Sequence, residues 1–314
     1  MPLIRSFDSL PATLKHGAVT IGNFDGVHRG HAQLIQRLVA EATAVGGPAV
    51  VFTFDPHPAY LLRPHEAPPP LTWTERKAEL LEEMGVTATI AYPTHRGLLE
   101  WTPQQFFNAI VRDGLAAKVL VEGPNFCFGR GRSGNIETLA GLCREAEVML
   151  HIVPPVVVGG QIVSSSRIRQ ALEAGDVELA HELMGRPYRL RGKVVTGARR
   201  GTRLGFPTAN LDQIDTLVPG TGVYAGWAWH AARSWPAAVH IGPNPTFGER
   251  ARKVEVHLID FAGDLYDQPL QVDFAARLRD VRPFASVEAL QEQLARDIQA
   301  ARKHTTRLPV PRSG

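Results

Sequence analysis

The sequence predicts an α/β domain built on a parallel sheet, followed by an all-β domain, a small β-barrel with a C-terminal helix. Three observations carry that expectation. Short β-branched runs alternate with helical patterns up to about residue 185. Beyond "ELMGRPY" the texture changes to extended runs punctuated by Gly and Pro, and from Ser286 it returns to helical spacing. A chain of 314 residues can bury a core in each part. The change of texture near Gly185 to Pro187 predicts domains over 1–186 and 187–314.

In the first part the runs at 18–22, 49–54, 88–93, 117–123 and 148–153 read as strands joined by helical crossovers. Leu34, Ile35, Leu38, Val39 and Ala42 recur on one helical face, which predicts a helix over 30–44. "RPHEAPPP" at 63–70 cannot complete a hydrogen-bond ladder and reads as a surface loop. In the second part "YRLRGKVV", "GVYAGWAW", "AAVHIG", "KVEVHLIDF" and "LQVDFAARL" read as strands of a barrel, with a sandwich as the alternative. Leu290, Leu294 and Ile298 form the stripe of a closing helix, with Ser286 as its N-cap.

The balance of 34 Lys and Arg against 31 Asp and Glu, net +3, is too even to demand nucleic acid and suits phosphate-bearing small molecules. Arg199, Arg200 and Arg203 would be the start of an RNA surface, but no long basic stripe with interleaved aromatics accompanies them. Two cysteines, Cys127 and Cys143, signal neither a disulfide framework nor a zinc site, and a reducing cytoplasm is expected. The N-terminus lacks a secretory pattern, and no apolar run approaches the ~18 residues of a membrane helix. No membrane and no nucleic-acid partner is expected.

The stretch "IGNFDGVHRGH" places a tight polar loop between the first strand and the long helix. A helix N-terminus is a natural seat for phosphate. Residues three apart share a helix face, so His28 and His31 are expected to point together at a ligand there, with Gly30 letting a ring or ribose approach. "SSSRIR" brings Ser164, Ser165, Ser166, Arg167 and Arg169 to the start of another helix, where serine capping alone is the simpler alternative. In "GARRGTRLGFPTAN", Gly197, Gly201 and Gly205 permit a loop close to phosphates without being a Walker A motif. Pro207 stiffens the turn, and Thr208 and Asn210 offer hard oxygen ligands suited to Mg²⁺ on phosphates. In "KVEVHLIDF", Val254, Val256 and Leu258 alternate against Glu255 and His257.

Four stretches in order, "GNFDGVHRGH", "EGPNFCFGRGRSGN", "VSSSRIRQAL" and "GTRLGFPTANL", resemble the bacterial bifunctional riboflavin kinase and FMN adenylyltransferase family, over about residues 15 to 303. The resemblance implies a Rossmann-like nucleotidyltransferase domain and a riboflavin kinase barrel. It implies phosphorylation of riboflavin to FMN, then adenylylation of FMN to FAD with release of pyrophosphate, both from Mg-ATP. It assigns Gly22, Asn23, Phe24, Asp25 and Gly30 to the nucleotide loop, and His28 and His31 to the ATP phosphates. It assigns Ser164, Ser165, Ser166 and Arg169 to a phosphate motif. Asn125, where many relatives carry Asp, and Phe128 would face the flavin or metal-bound phosphate, with Arg130 and Arg132 adding positive potential. Glu255 would take the proton from the ribityl hydroxyl, and the loop at 240–248 would serve fold or flavin contact. A single-activity cytidylyltransferase-like enzyme with a ligand-binding barrel is the alternative.

Overall fold

The protein is described from a computed structural model covering residues 3–197, 201, 204–243 and 251–307. Arg199, Arg200, Arg203 and positions 244–248 of the loop after His240 lie outside the described residues. The chain forms two compact units: residues up to 68 with 73–163, and residues 69–72 with 164 onward.

In the first unit β1 (Leu3–Ile4), β2 (Ala18–Ile21), β3 (Ala49–Asp55), β4 (Ala88–Pro93), β5 (Val119–Glu122) and β6 (Met149–Ile152) form one sheet in the order β1-β4-β3-β2-β5-β6. Every neighbouring pair is parallel. A parallel sheet is covered on both faces, which is why these strands read as continuous apolar runs. Val19, Val50, Phe52, Ile90 and Leu120 face one core. Ala18, Val51, Val119 and Val121 face the other, together with Ile35, Leu38 and Ala42 of helix α1 (Arg29–Ala44). Full burial of Ile35 and Leu38 is worth about 1.5–3 kcal/mol each. The chain leaves β2 toward β3 and β4 on one side and returns with β5 and β6 on the other. The switch point therefore lies at the carboxyl ends of β2 and β5, where open α/β sheets bind ligands. A small hairpin, β7 (Val157–Val158) and β8 (Gln161–Ile162), follows.

In the second unit β9 (Tyr188–Val195), β10 (Ala209–Asp212), β11 (Gly222–His230), β12 (Arg233–Gly242), β13 (Lys253–Leu258) and β14 (Pro269–Arg279) close a barrel in the order β10-β13-β12-β11-β14-β9. Closure removes free edges and rules out the sandwich. The helices Ser165–Ala174 and Val177–Met184 belong to this unit by packing: the Glu178 carboxylate accepts from the Arg277 backbone N–H at 2.9 Å, and the Ala174 carbonyl accepts from the Arg277 guanidinium at 3.3 Å. Composition thus changes at 185–187, while packing divides the chain between 163 and 164. The helix Val287–Arg307 docks through buried Ala301 and the bidentate Arg279–Asp297 pair, whose shortest contact is 2.7 Å. Ser286 caps it through the Ala289 N–H at 3.2 Å. Among the described residues no helix is long and apolar enough to cross a membrane.

Besides the two-residue β1, β7 and β8, the strand that the sequence reading missed is β10. "PTAN" reads as a turn, yet Asn210 lies in a strand paired to β9 and β13. The barrel wall also holds a buried ion pair with no motif. Arg189 grips both oxygens of Asp273 at 2.6 Å and lies 4.8 Å from the Trp229 ring centroid, while the Trp229 indole N–H donates to the same carboxylate at 2.8 Å. Removing one partner of such a pair strands the other charge. Asp273→Ala is expected to lower stability by about 3–5 kcal/mol, read as a reduced chemical-denaturation midpoint; an unchanged midpoint would show that the pair contributes nothing.

Candidate active sites

His28 is the N-cap of α1, and the helix begins one residue later, at Arg29. Its Nδ1 accepts from the His31 backbone N–H at 3.3 Å, and the His31 Nδ1 accepts from the His28 N–H at 3.3 Å. A capping box normally needs a hydroxyl or carboxylate at the cap; here two imidazoles supply both halves. Nδ1 must then be the unprotonated nitrogen in each ring, so each N–H donor sits on Nε2. The rings stack with centroids 3.6 Å apart at 14°, and Phe24 lies 5.1 Å from His31. The pair therefore shares a face, as its spacing predicts. Two of the helix-terminal N–H groups expected for a ligand are taken by the imidazoles themselves.

Gly30 also has a role within the protein itself. A Cβ there would sit 3.1 Å from the His28 ring and 3.7 Å from the Val163 carbonyl, so the glycine makes room for the imidazole. The loop before the cap is strained: Phe24 (φ 47°), Gly26 (φ 83°) and Val27 (φ 37°) are left-handed. For Phe and Val that conformation costs on the order of 1–2 kcal/mol each. Burial of both side chains helps to hold it. Asp25 is buried, and the Asn23 side-chain oxygen is buried without a protein hydrogen-bond partner. Beneath the loop the Asn23 carbonyl accepts from Lys77 Nζ at 2.7 Å and Thr53 Oγ1 at 3.2 Å. Burial pulls the Lys77 ammonium below its ordinary range, while Asp25 and Asp55 hold it up.

The second loop of the switch point leaves β5. The β2–β5 ladder pairs Ala18 with Val119 and Val19 with Leu120 and then stops. Where it stops, the buried Glu122 carboxyl accepts from the Ile21 N–H at 2.7 Å. Asn125 is exposed beyond this point, as are Arg130 and Arg132 in a short turn. Phe128, expected at a ligand, is instead 5% exposed and packs on Phe106 and Phe126 in the core. In the second unit Ser164 caps Ser165–Ala174 by accepting from the Arg167 N–H at 3.3 Å, the simpler role foreseen for it. Ser165 and Ser166 open that helix, and Arg169 Nε donates to the Pro69 carbonyl at 3.2 Å.

The barrel aligns its expected residues by register. Asn210 of β10 pairs with Glu255 of β13, and Glu255 pairs with His240 of β12, so three polar side chains share one face across adjacent strands. Val254, Val256 and Leu258 are buried while Glu255 and His257 are half-buried, as the alternation predicts. His257 Nδ1 lies 2.8 Å from the Pro207 carbonyl, which ties the "PTAN" entry to β13. Gly197 and Gly201 lie against the same segment: a Cβ on Gly197 would overlap the Asn210 amide, and one on Gly201 would come 3.3 Å from Thr208 Oγ1. Gly205 is left-handed at φ 85°, and Thr208 is exposed. Burial draws His240 below its usual range, with the Glu255 charge opposing. Sequence reasoning gave His240 only a place in the 240–248 loop and singled out neither Lys77 nor Glu122.

Fold and sites together fit a two-unit transferase of nucleotide-dependent phosphate chemistry. A family model of FAD synthetase matches residues 10–167 and one of riboflavin kinase matches residues 184–305. The bifunctional riboflavin kinase/FMN adenylyltransferase of Pseudomonas fluorescens is 38% identical over 303 residues, 96% of this chain and 97% of that protein. The Escherichia coli K12 protein of the same name is 36% identical over 305 residues, 96% and 97%. A crystal structure titled a macrolide-efflux protein from Streptococcus pneumoniae has the same fold at a TM-score of 0.85, with 31% identity over 96% of this chain and 98% of that one. The chain belongs to the bifunctional riboflavin kinase/FMN adenylyltransferase family. Its activities are the two steps from riboflavin to FMN and from FMN to FAD, and the single-activity cytidylyltransferase reading is not favoured.

Glu122 allows a test that needs no substrate. Burial raises its carboxyl well above 4.5, with the Ile21 N–H bond opposing. Unfolding above pH 4.5 therefore releases a proton, and stability falls by about 1.4 kcal/mol per pH unit until the folded group itself ionises. Glu122→Gln cannot ionise. It is expected to match the parent near pH 4 and to exceed it in thermal midpoint at neutral pH; equal midpoints at both would contradict a buried neutral carboxyl.

Proposed function

We propose that FMN adenylylation runs at the β2–β5 switch point and riboflavin phosphorylation on the Asn210–Glu255 face of the barrel. In the first reaction an FMN phosphate oxygen attacks the α-phosphorus of ATP and pyrophosphate leaves; no proton transfer or covalent enzyme intermediate is needed. The protein must then align two anions and neutralise charge growing on the leaving group. The Nε2 donors of His28 and His31 do this, on a loop formed by Gly22 to Asp25. The observation that supports this reading is the reciprocal imidazole cap, which fixes both rings through Nδ1 and so places the N–H donor of each on Nε2. Ser165, Ser166 and Arg169 keep the phosphate role that their motif implies, and Arg130 and Arg132 contribute potential.

In the second reaction Glu255 accepts the proton of the ribityl 5′-hydroxyl as its oxygen attacks the γ-phosphorus, and ADP leaves. Among the described residues no cluster of three His, Cys, Asp or Glu side chains could hold a metal by itself. Thr208 and Asn210 offer two neutral oxygen ligands, which fits Mg²⁺ carried mainly by nucleotide phosphates. Such an ion would neutralise phosphate charge. Both cysteines are free, in keeping with a cytoplasmic setting.

Purified protein given riboflavin and Mg-ATP is expected to form FMN and then FAD, resolved by chromatography, and to form neither when EDTA removes the metal. Absence of both flavins with metal present would refute the reading. Glu255→Gln should slow FMN formation by ~10² to 10⁴ while FMN still becomes FAD. His31→Ala should cost FAD formation on the order of 10² to 10³ and spare the kinase step.

A further inference from the structure

The turn that delivers His28 to the start of α1 is one its side chains resist, since Phe24 and Val27 are both left-handed. Strained backbone persists only where its surroundings over-determine it. Two of the fastenings are buried side chains, Phe24 and Val27. The third is polar and comes from below. Lys77, on the helix Thr74–Glu83, is 7% exposed. Its ammonium donates to the Asn23 carbonyl at 2.7 Å and lies 3.4 Å from Thr53 Oγ1, which itself donates to that carbonyl at 3.2 Å. Asp25 of the loop and Asp55 at the end of β3 balance the charge, and Asp55 is also paired with Arg5 at 2.6 Å.

A buried ammonium is a costly way to fill this space, because an apolar side chain of the same length would pack there without desolvating a charge. What the ammonium adds is a directed bond to one backbone oxygen. That oxygen belongs to the residue immediately before the left-handed Phe24. We infer that Lys77 is a positioning residue for FMN adenylylation: it pins the Asn23 carbonyl, and through it the turn that sets the His28–His31 pair. The inference rests on the assignment of adenylylation to that pair. Lys77 does not touch the reacting atoms in this account; it governs where the two imidazoles stand. A displacement of about 1 Å at a reacting site can cost on the order of 10²-fold in rate.

The test uses the full-length protein, whose riboflavin kinase step reports independently on folding. Lys77→Met keeps the length and removes the donor. FAD formation from FMN should fall on the order of 10²-fold in kcat, with the ATP KM moving less and FMN formation from riboflavin unchanged. Without substrates, backbone amides from Phe24 to His31 should exchange faster than in the parent, while those of β3 and β4 do not. Unchanged FAD formation, unchanged exchange in the loop, or equal loss of both activities in a folded protein would each overturn the inference. If Lys77→Met fails to fold, Thr53→Val decides, because it removes the second donor to the same carbonyl; faster loop exchange with a smaller loss of FAD formation supports the clamp, and parental behaviour refutes it. Loss of FAD formation in His31→Ala with none in Lys77→Met would sink this inference alone. No loss in His31→Ala would sink the site assignment beneath it.

Discussion

Two imidazoles that cap each other's backbone organise the start of α1 in the first unit. Because His28 Nδ1 and His31 Nδ1 both accept from N–H groups three residues apart, the N–H of each ring lies on Nε2, and the two rings are held as one stacked pair. Much of the local structure follows from that arrangement. A side chain at residue 30 would crowd the His28 ring, which its Cβ would approach to 3.1 Å. Phe24, at positive φ, packs with its ring centroid 5.1 Å from that of His31. A helix that would otherwise offer four bare N–H groups to an anion offers fewer, with side-chain donors in exchange.

The strain of that turn is offset nearby. Lys77 and Thr53 hold the Asn23 carbonyl from one side of β2, and Glu122 takes the Ile21 N–H where the β2–β5 ladder ends on the other. The switch point is thus opened by a topological reversal and secured by buried polar side chains, each satisfied by a backbone group. The barrel solves the equivalent problem with register. Antiparallel pairing sets Asn210, Glu255 and His240 in a row, and His257 ties the entry of β10 to the strand that carries Glu255.

The elements legible in the sequence are those with strong periodicity. The runs at 18–22, 49–54 and 88–93 and the helix ending at Ala44 emerge within a residue or two, because a sheet covered on both faces and an amphipathic helix leave unmistakable apolar patterns. The four-residue β10 was illegible: it follows a proline, alternates weakly, and pairs with strands whose partners are distant in sequence. Asn210 within it and Thr208 just before it, the candidate metal ligands, were singled out through their motif, while the segment was read as a turn. The motif singled out Phe128 and Gly30 but gave no sign of their packing, Phe128 in the core and Gly30 against an imidazole. Lys77 and Glu122 left no pattern because each bonds a backbone group of another element, 54 and 101 residues away. Backbone partners carry no side-chain signature to search for. The division between 163 and 164 was hidden for a similar reason, as the helical texture of 165–184 matches the first unit while its packing belongs to the barrel.

The tautomers of His28 and His31 test the central claim most directly. Nitrogen-15 NMR of histidine-labelled protein at neutral pH distinguishes a protonated from an unprotonated ring nitrogen. The reciprocal cap requires Nδ1 unprotonated and Nε2 protonated in both residues, with the Nε2 resonances shifting when ATP is added and the Nδ1 resonances holding. A proton on Nδ1 of either ring would contradict the cap and, with it, the arrangement of donors on which the account of adenylylation is built.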